Sequence, residues 1–212
     1  MKTSAKRLFD IVVAASALLL LSPFFLLLSC IIKLDSAGPI FYKARRIGCS
    51  GRLFHMYKFR TMATNADKVG PAVTYKDDPR ITRVGRWMRR FRIDELPQLV
   101  NILKGDMSMV GPRPEAPEYV QLELPIWQKV LTVRPGMCGL TQLSFAIDEA
   151  EALGNSESAD QDYMTQILPA KLQIDLRYVA RQSFFYDIKL IIKTFLLLVG
   201  LYGRKRGQMP AS

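Results

Sequence analysis

IVVAASALLLLSPFFLLLSCII, residues 11–32, is a run of 22 residues without a charge, flanked by Lys2, Lys6 and Arg7 before it and by Lys33 after it. About 20 apolar residues suffice to cross the hydrocarbon core of a bilayer, so this stretch is expected to meet a membrane. The apolar core of a cleaved leader is shorter, roughly 7–15 residues. Leu27-Leu28-Ser29-Cys30 resembles a lipoprotein cleavage box, but Ile31 and Ile32 carry the apolar run through it, and the segment is expected to persist. Ser22-Pro23 stands at its centre. Proline removes a helical amide and crowds the preceding turn, and a serine hydroxyl can satisfy the freed carbonyl. A kink is expected there. With positive charge on both flanks the inside–outside bias has no direction, and a helix broken at Ser22 and Pro23 that enters and leaves by the cytoplasmic face satisfies both flanks. The reading is a re-entrant helix over residues 1–34, set against a plain kinked transmembrane anchor.

Outward from that helix, 212 residues with 49% hydrophobic and 23% charged side chains make one domain with a short accessory segment. A mean hydropathy of +0.07 is too low for a protein built of many membrane helices. Thirty Lys and Arg against 19 Asp and Glu give a formal charge of +11, which favours phosphates, acidic lipid or nucleic acid as partners. Cys30, Cys49 and Cys138 are odd in number and unpaired in spacing, arguing for a reducing compartment. The single histidine, His55, excludes a histidine-based metal site, and G-x-S-x-G, Walker A and G-x-G-x-x-G patterns are absent. Carboxylates, arginines, lysines and a hard cation bound by oxygen are left to carry any catalysis.

Residues 34–62 alternate short apolar stretches with Gly and Pro and predict two strands, 40–43 and 53–59, joined by a glycine turn. Residues 63–82 are polar, with Pro71, Asp77, Asp78 and Pro79, and read as a surface loop. Helical spacing over 84–104, interrupted near 92–97, predicts two helices and a corner. No Lys or Arg occurs from Pro135 to Ala170, where Asp148, Glu149, Glu151, Glu157, Asp160 and Asp162 accumulate; this reads as a mobile acidic excursion. Residues 171–181 and 187–202 predict helices. The second is strongly apolar, carries Lys189 and Lys193 and is too short to span, so it is placed along the interface, with Gly203-Arg204-Lys205-Arg206 against anionic headgroups. The fold class expected is α+β, predominantly helical with a small sheet, the sheet and the membrane-parallel helices resting in part on the family resemblance given below: a membrane helix at 1–34, a catalytic domain at 35–187, and an interfacial amphipathic helix with a basic tail at 188–212.

Arg80, Arg83, Arg86, Arg89, Arg90 and Arg92 crowd ahead of Ile93-Asp94-Glu95-Leu96-Pro97. On a helix Arg83, Arg86 and Arg90 share a face, a phosphate-sized cationic surface. Pro97 is tolerated in a first helical turn, which puts Asp94 in a capping-like position. There the dipole and the arginines favour its ionised form, and such a carboxylate can attack phosphorus. A simple N-cap with an arginine salt bridge accounts for the same residues. Downstream, Arg113 is set between Pro112 and Pro114, pre-organised for a forked phosphate contact. Arg134-Pro135-Gly136, Gly139-Leu140-Thr141-Gln142, Lys58 and Arg60 repeat the theme of a cation or polar group in a turn.

Taken together, RIDELPQLVNILKGDMSMVGPRPE (92–115), YKFRTM (57–62), DPRITRVGRWMRR (78–90), RPGMCGLTQ (134–142) and the Ser22-Pro23 break resemble the bacterial sugar transferases, monotopic phosphoglycosyl transferases, over nearly the whole chain. The resemblance implies transfer of a sugar-1-phosphate from a UDP-sugar to undecaprenyl phosphate, with release of UMP, at the cytoplasmic face of the bacterial inner membrane, as the start of a surface glycan. It implies that Asp94 is the nucleophile and lies beside Mg2+, and that Glu95 assists the second step. Arg113 matches the family's proline-flanked arginine, a phosphate clamp, with Lys58, Arg60, Arg86, Arg134 and Gln142 around the substrate and Asp175 at a recurrent acidic position. Membrane lipids are implied partners, nucleic acid is not, and a homodimer is open. The chain departs from its relatives after Gln142, where Leu143-Ser144-Phe145-Ala146-Ile147 replaces a short Asn-Gly-Arg stretch. The competing reading is a membrane-anchored scaffold that holds anionic lipids or glycan intermediates without turnover.

Overall fold

A computed structural model of the chain describes residues 2–66, 70, 73–75, 77–144 and 159–198. Helix α1 (Lys2–Asp35) is continuous through Ser22-Pro23. The Ser22 hydroxyl donates to the Leu19 carbonyl at 2.8 Å, the carbonyl that the Pro23 nitrogen leaves without a donor. Strands β1 (Phe41–Ile47) and β2 (Leu53–Phe59) form an antiparallel hairpin, with Phe41 opposite Phe59 and Ile47 opposite Leu53. β1 runs four residues beyond the expected 40–43. Two consecutive arginines hide its alternation, yet Ala44 and Ile47 are buried while Arg45 faces solvent.

The helical stretch is broken as expected. α2 (Arg83–Arg90) is capped by the Thr82 hydroxyl, which accepts from the Gly85 amide at 2.9 Å. A 3-10 turn at Ile93–Glu95 follows, then α3 (Gln98–Lys104). β3 (Ser108–Val110) pairs in parallel with β4 (Gly136–Cys138), flanking α4 (Pro125–Val130). Neither strand is expected from the sequence, since three residues are too few to show a period. α5 (Leu140–Ser144) closes this part. α6 (Ala159–Asp162) continues through a π-helical turn, Tyr163–Ile167, into α7 (Leu168–Arg181), and α8 (Phe184–Leu198) is last.

Two expectations change. The 63–82 loop is not merely a polar surface: Asp78 is buried and receives Arg80 through Nε at 2.9 Å and a terminal nitrogen at 2.7 Å, and Arg80 also donates to the Ala66 carbonyl. Asp160 and Asp162 belong to α6, where Asp160 accepts from the Tyr119 hydroxyl at 2.6 Å. Asp148, Glu149, Glu151, Glu157 and the 203–206 tail lie outside the described residues.

Both ends of α1 dock on one body. Near the start, Arg7 donates to the Ile102 and Leu103 carbonyls at the end of α3, Asp10 accepts from the Met109 amide, and Ala14 is buried with Ile102, Met107 and Val110. Near the end, Leu28 and Ile32 pack on Phe59 and Met88, while Arg60 donates to the Ser36 and Ala37 carbonyls. Between these anchors Leu19 and Leu20 are 79% and 81% exposed.

α2 lies directly on the backbone ahead of it. A methyl group added at Gly85 would sit 2.1 Å from the Thr61 carbonyl oxygen. Gly85→Ala is therefore expected to destabilise the protein by about 1–3 kcal/mol through overpacking, read as a lowered denaturation midpoint, because neither backbone can retreat without breaking the Thr82 cap.

Candidate active site

Asp94 and Glu95 occupy the corner between α2 and α3, entered through Arg92 in the left-handed region at φ 53°. Both carboxylates are buried, and their environments differ sharply. Glu95 Oε1 receives Arg113 at 3.0 Å and Lys58 at 3.2 Å, and Oε2 faces Arg92 at 3.6 Å. Burial pushes Glu95 upward, but Arg113, Lys58 and Arg92 overcome it and hold the group well below the ordinary carboxylate range. Asp94 accepts no hydrogen bond and closes no ion pair among the described residues. Burial raises its pKa, Lys58, Arg89 and Arg92 oppose that, and the adjacent Glu95 adds to it.

This corrects the expected electrostatics. Asp94 lies inside the 3-10 turn, and α3 begins after an N-cap at Pro97 with no side-chain cap, so it gains little from the helix dipole. Its cations are shared with Glu95, which takes the direct contacts. The result is one carboxylate saturated by charge beside one left uncommitted.

Four elements place these groups. Asn101 on α3 is fully buried. Its amide donates to the His55 carbonyl at 2.8 Å and to Asp106 at 3.1 Å, while its oxygen accepts from the Tyr57 amide at 2.9 Å. That fixes β2, and with it Lys58, against the helix that follows Glu95. Arg113 is delivered by the loop after β3, which runs against β4 with almost no gap. A methyl at Gly136 would fall 1.9 Å from the Gly111 nitrogen, so only glycine permits this approach. Lys58 is pushed below its usual range by burial, with Glu95 and Asp94 pulling it back.

Of the expected site residues, Asp94, Glu95, Lys58 and Arg113 converge. Arg60 is buried and occupied by the Ser36 and Ala37 carbonyls just past the end of α1 and by the Ile32 carbonyl in its last turn, which closes the helix C-terminus and leaves no open phosphate contact. Arg86 is exposed, as are Arg83 and Arg90. The arginine face expected to serve the site points to solvent because Gly85 and Met88 form the buried stripe of α2. Arg89 and Arg92 carry charge to the acidic pair in its place; Arg89 follows buried Gly85 by four residues on α2, a helical spacing available in the sequence, whereas Arg92 stands past the helix in the left-handed region and had no such signal. Arg89 is held by Thr61 and Thr74 at 2.9 Å each. Arg134 is exposed and donates through Nε to the Gly105 carbonyl at the end of α3. Gln142 is buried beside β4, its amide 3.5 Å from the Gly136 carbonyl.

Asp175 on α7 is buried and receives the Thr141 hydroxyl, in a cluster with Lys171, whose ammonium lies 2.7 Å from Glu115. Burial raises Asp175 to about 7. A carboxyl whose folded pKa exceeds its unfolded one binds its proton more tightly in the native state, so stability falls as pH rises from about 4 through 7. Full ionisation costs the folded state ~4 kcal/mol. Asp175→Asn is expected to flatten this dependence, melting above the parent at pH 8 and near it at about pH 4 in thermal scans.

For a divalent cation, no group of three His, Cys, Asp or Glu side chains converges among the described residues. Mg2+ commonly takes one or two carboxylates and completes its shell from substrate phosphates and water, so a single carboxylate is enough to hold it. Asp94 has the free oxygens for such a contact.

Residues 1–200 match the family model described as bacterial sugar transferase. The chain belongs to the bacterial sugar transferase family. Among curated relatives, this sugar transferase is 37% identical over 203 residues to a UDP-N-acetylgalactosamine-undecaprenyl-phosphate N-acetylgalactosaminephosphotransferase of Aeromonas hydrophila, covering 94% of this chain and 45% of that protein. It is 38% identical over 205 residues to the exopolysaccharide production protein ExoY of Sinorhizobium fredii, covering 90% and 83%. It is 41% identical over 197 residues to the exopolysaccharide production protein PSS of Rhizobium leguminosarum bv. phaseoli, covering 89% and 92%. The chain thus spans less than half of the Aeromonas relative and most of the other two.

Proposed function

We propose that this bacterial sugar transferase moves a sugar-1-phosphate from a UDP-sugar to undecaprenyl phosphate, releasing UMP, and so begins assembly of a surface glycan. The observation that carries the reading is the pairing of an uncommitted buried carboxylate, Asp94, with a saturated one, Glu95, inside a ring of cations. The activity for which the Aeromonas relative is named supports the substrates.

In the first step an Asp94 oxygen attacks the phosphorus that bears the sugar. The bond from that phosphorus to the bridging oxygen breaks, and UMP leaves with the electron pair. In the second, an oxygen of undecaprenyl phosphate attacks the same phosphorus and expels the Asp94 carboxylate, giving the sugar-diphospholipid. The relay lets two anions use one cationic site in turn instead of meeting there together. A carboxylate without ion-pair partners is a stronger nucleophile than one whose lone pairs are taken, which assigns attack to Asp94. Glu95 keeps Arg113, Lys58 and Arg92 gathered where phosphate charge must be held. A phosphate monoester is largely dianionic near neutrality, so the acceptor needs no strong base. Asp94 is the residue that would hold Mg2+ through one carboxylate oxygen, leaving the other for attack, and the ion would supply charge neutralisation for the donor's phosphates.

The membrane arrangement rests on α1. Arg7 and Arg60 tie its two ends to the same domain, which a helix crossing to the far side of a bilayer cannot do. A re-entrant helix dipping from the cytoplasmic face, with Leu19 and Leu20 at its deep end, meets the requirement. α8 adds an apolar outer face, with Phe185, Ile192 and Phe195 exposed, suited to the interface.

The test is UMP release by purified protein with undecaprenyl phosphate and Mg2+ across a panel of UDP-sugars. One donor is expected to give release, and that donor labelled in its sugar is expected to leave label on the protein when the lipid acceptor is omitted. No release from any donor by folded protein in lipid would defeat the reading.

A further inference from the structure

One turn near the start of α1 reaches both arms of the site. Arg7 holds the carbonyls of Ile102 and Leu103 at the end of α3, at 2.6 and 2.9 Å, and α3 is the helix that follows Asp94-Glu95. Asp10 accepts from the Met109 amide of β3 at 3.0 Å. Lys6 donates to the Val110 carbonyl at 3.1 Å and pairs with Asp187 of α8. The Tyr178 hydroxyl on α7 lies 3.0 Å from that same carbonyl and 2.8 Å from Asp187 Oδ1. Asp187, Tyr178 and Val110 are all buried. Four elements therefore close a ring of polar contacts around a single peptide, and that peptide is the last of β3. Three residues further on is Arg113, whose path through Gly111 and Pro112 has no slack, because Gly111 is pressed against Gly136 and Pro112 fixes φ.

We infer that Lys6, acting with Asp187 and Tyr178 on the Val110 carbonyl, is a positioning residue for Arg113, and that the seating of the apolar helix thereby sets the Arg113–Glu95 contact. The function of the link rests on the transferase reading; its geometry does not. Lys6 touches none of the candidate site residues, and its position at the mouth of the apolar segment makes it the group that senses whether α1 is in place. A displaced α1 withdraws Lys6, frees the end of β3 and lets the clamp arginine drift from the acidic pair. The device ties the competence of the site to the lipid in which the acceptor is found.

The experiment compares the full chain in lipid nanodiscs with Lys6→Met, Tyr178→Phe, Arg113→Met and the Lys6→Met/Arg113→Met double variant. The first readout needs no turnover: phenylglyoxal labelling of individual arginines by peptide mass spectrometry. Arg113 is expected to label at least about threefold faster in Lys6→Met and in Tyr178→Phe, while buried Arg60, which reacts only if the fold opens, keeps its parent rate. Tyr178→Phe leaves the charge of α1 intact and carries the test if Lys6→Met opens the fold. Unchanged Arg113 labelling in both variants overturns the inference, and so does a parallel rise at Arg60 in both. The second readout is the donor KM. Lys6→Met is expected to raise it about tenfold, and the double variant to be no worse than Arg113→Met alone, since two residues acting through one contact are non-additive. A double-variant KM equal to the product of the single effects overturns the inference. If the parent protein releases no UMP from any donor, the transferase reading fails and the labelling still decides the link.

Discussion

Asp94→Asn is expected to lower UMP release by at least about 10^3-fold, with no label retained on the protein, while thermal stability and lipid binding stay at parent levels. The size follows from the role. An amide is isosteric with the carboxylate but has no nucleophilic oxygen, and no neighbour replaces it, because Glu95 is tied to three cations. Stability is spared because Asp94 makes no ion pair or hydrogen bond among the described residues, and a neutral group in its place removes a burial cost. Glu95→Gln separates the two roles. It leaves Arg113, Lys58 and Arg92 without their common anion, so both donor binding and stability are expected to fall, and label from the donor still reaches Asp94. A variant at Asp94 that retained a tenth of parent turnover would remove the covalent relay.

Lys171→Met is expected to give the largest loss of stability, about 3–5 kcal/mol, lowering the melting temperature by about 10 °C. Lys171 is 2% exposed and lies 2.7 Å from Glu115 and 2.6 Å from the Tyr163 hydroxyl. Burial pushes Glu115 upward, and Lys171 with Tyr163 holds it down nonetheless. Removing the cation leaves a buried carboxylate with the Tyr163 hydrogen bond and only the more distant charge of Arg113 to oppose its own. Because Glu115 follows Pro114 directly, the loss reaches the segment that carries Arg113. The double variant Lys171→Met/Glu115→Gln is expected to recover most of the melting temperature, since the cost lies in the unpaired charge and not in the lost pair itself. A melting temperature unchanged in the single variant would show that the cluster is more hydrated than its burial implies.

The apolar run, the hairpin and the α2–α3 corner were legible in sequence, because each rests on local chemistry, whereas Asp94, Glu95 and Arg113 were grouped by the family resemblance, with Arg113 and Glu95 in contact in the fold. An uncharged run of 22 residues has one solvent it prefers, a proline between apolar halves has a known effect on the amide beneath it, and the Leu19 carbonyl is indeed taken by Ser22. The positions that misled were those whose meaning depends on which way a surface turns. Six arginines in thirteen residues look alike in sequence. That Arg86 faces solvent and Arg89 and Arg92 face the acidic pair follows from Gly85 being pressed on the Thr61 carbonyl, a contact between segments 24 residues apart. Arg60 likewise reads as a phosphate ligand until α1 is seen to end against it. The unequal fates of Asp94 and Glu95 belong to the same class: adjacent residues of the same charge are distinguished only when Lys58 from β2 and Arg113 from beyond β3 arrive on one side of the turn. The sequence by itself determined an apolar helix long enough to meet a membrane, a mostly helical domain and a cationic stretch leading into an acidic pair, since hydropathy, backbone restriction and residue chemistry act locally. Only the tertiary structure decided which carboxylate is free and which cations are spent on it or on the backbone, because Coulomb energy and burial depend on distances between segments that the chain order does not contain.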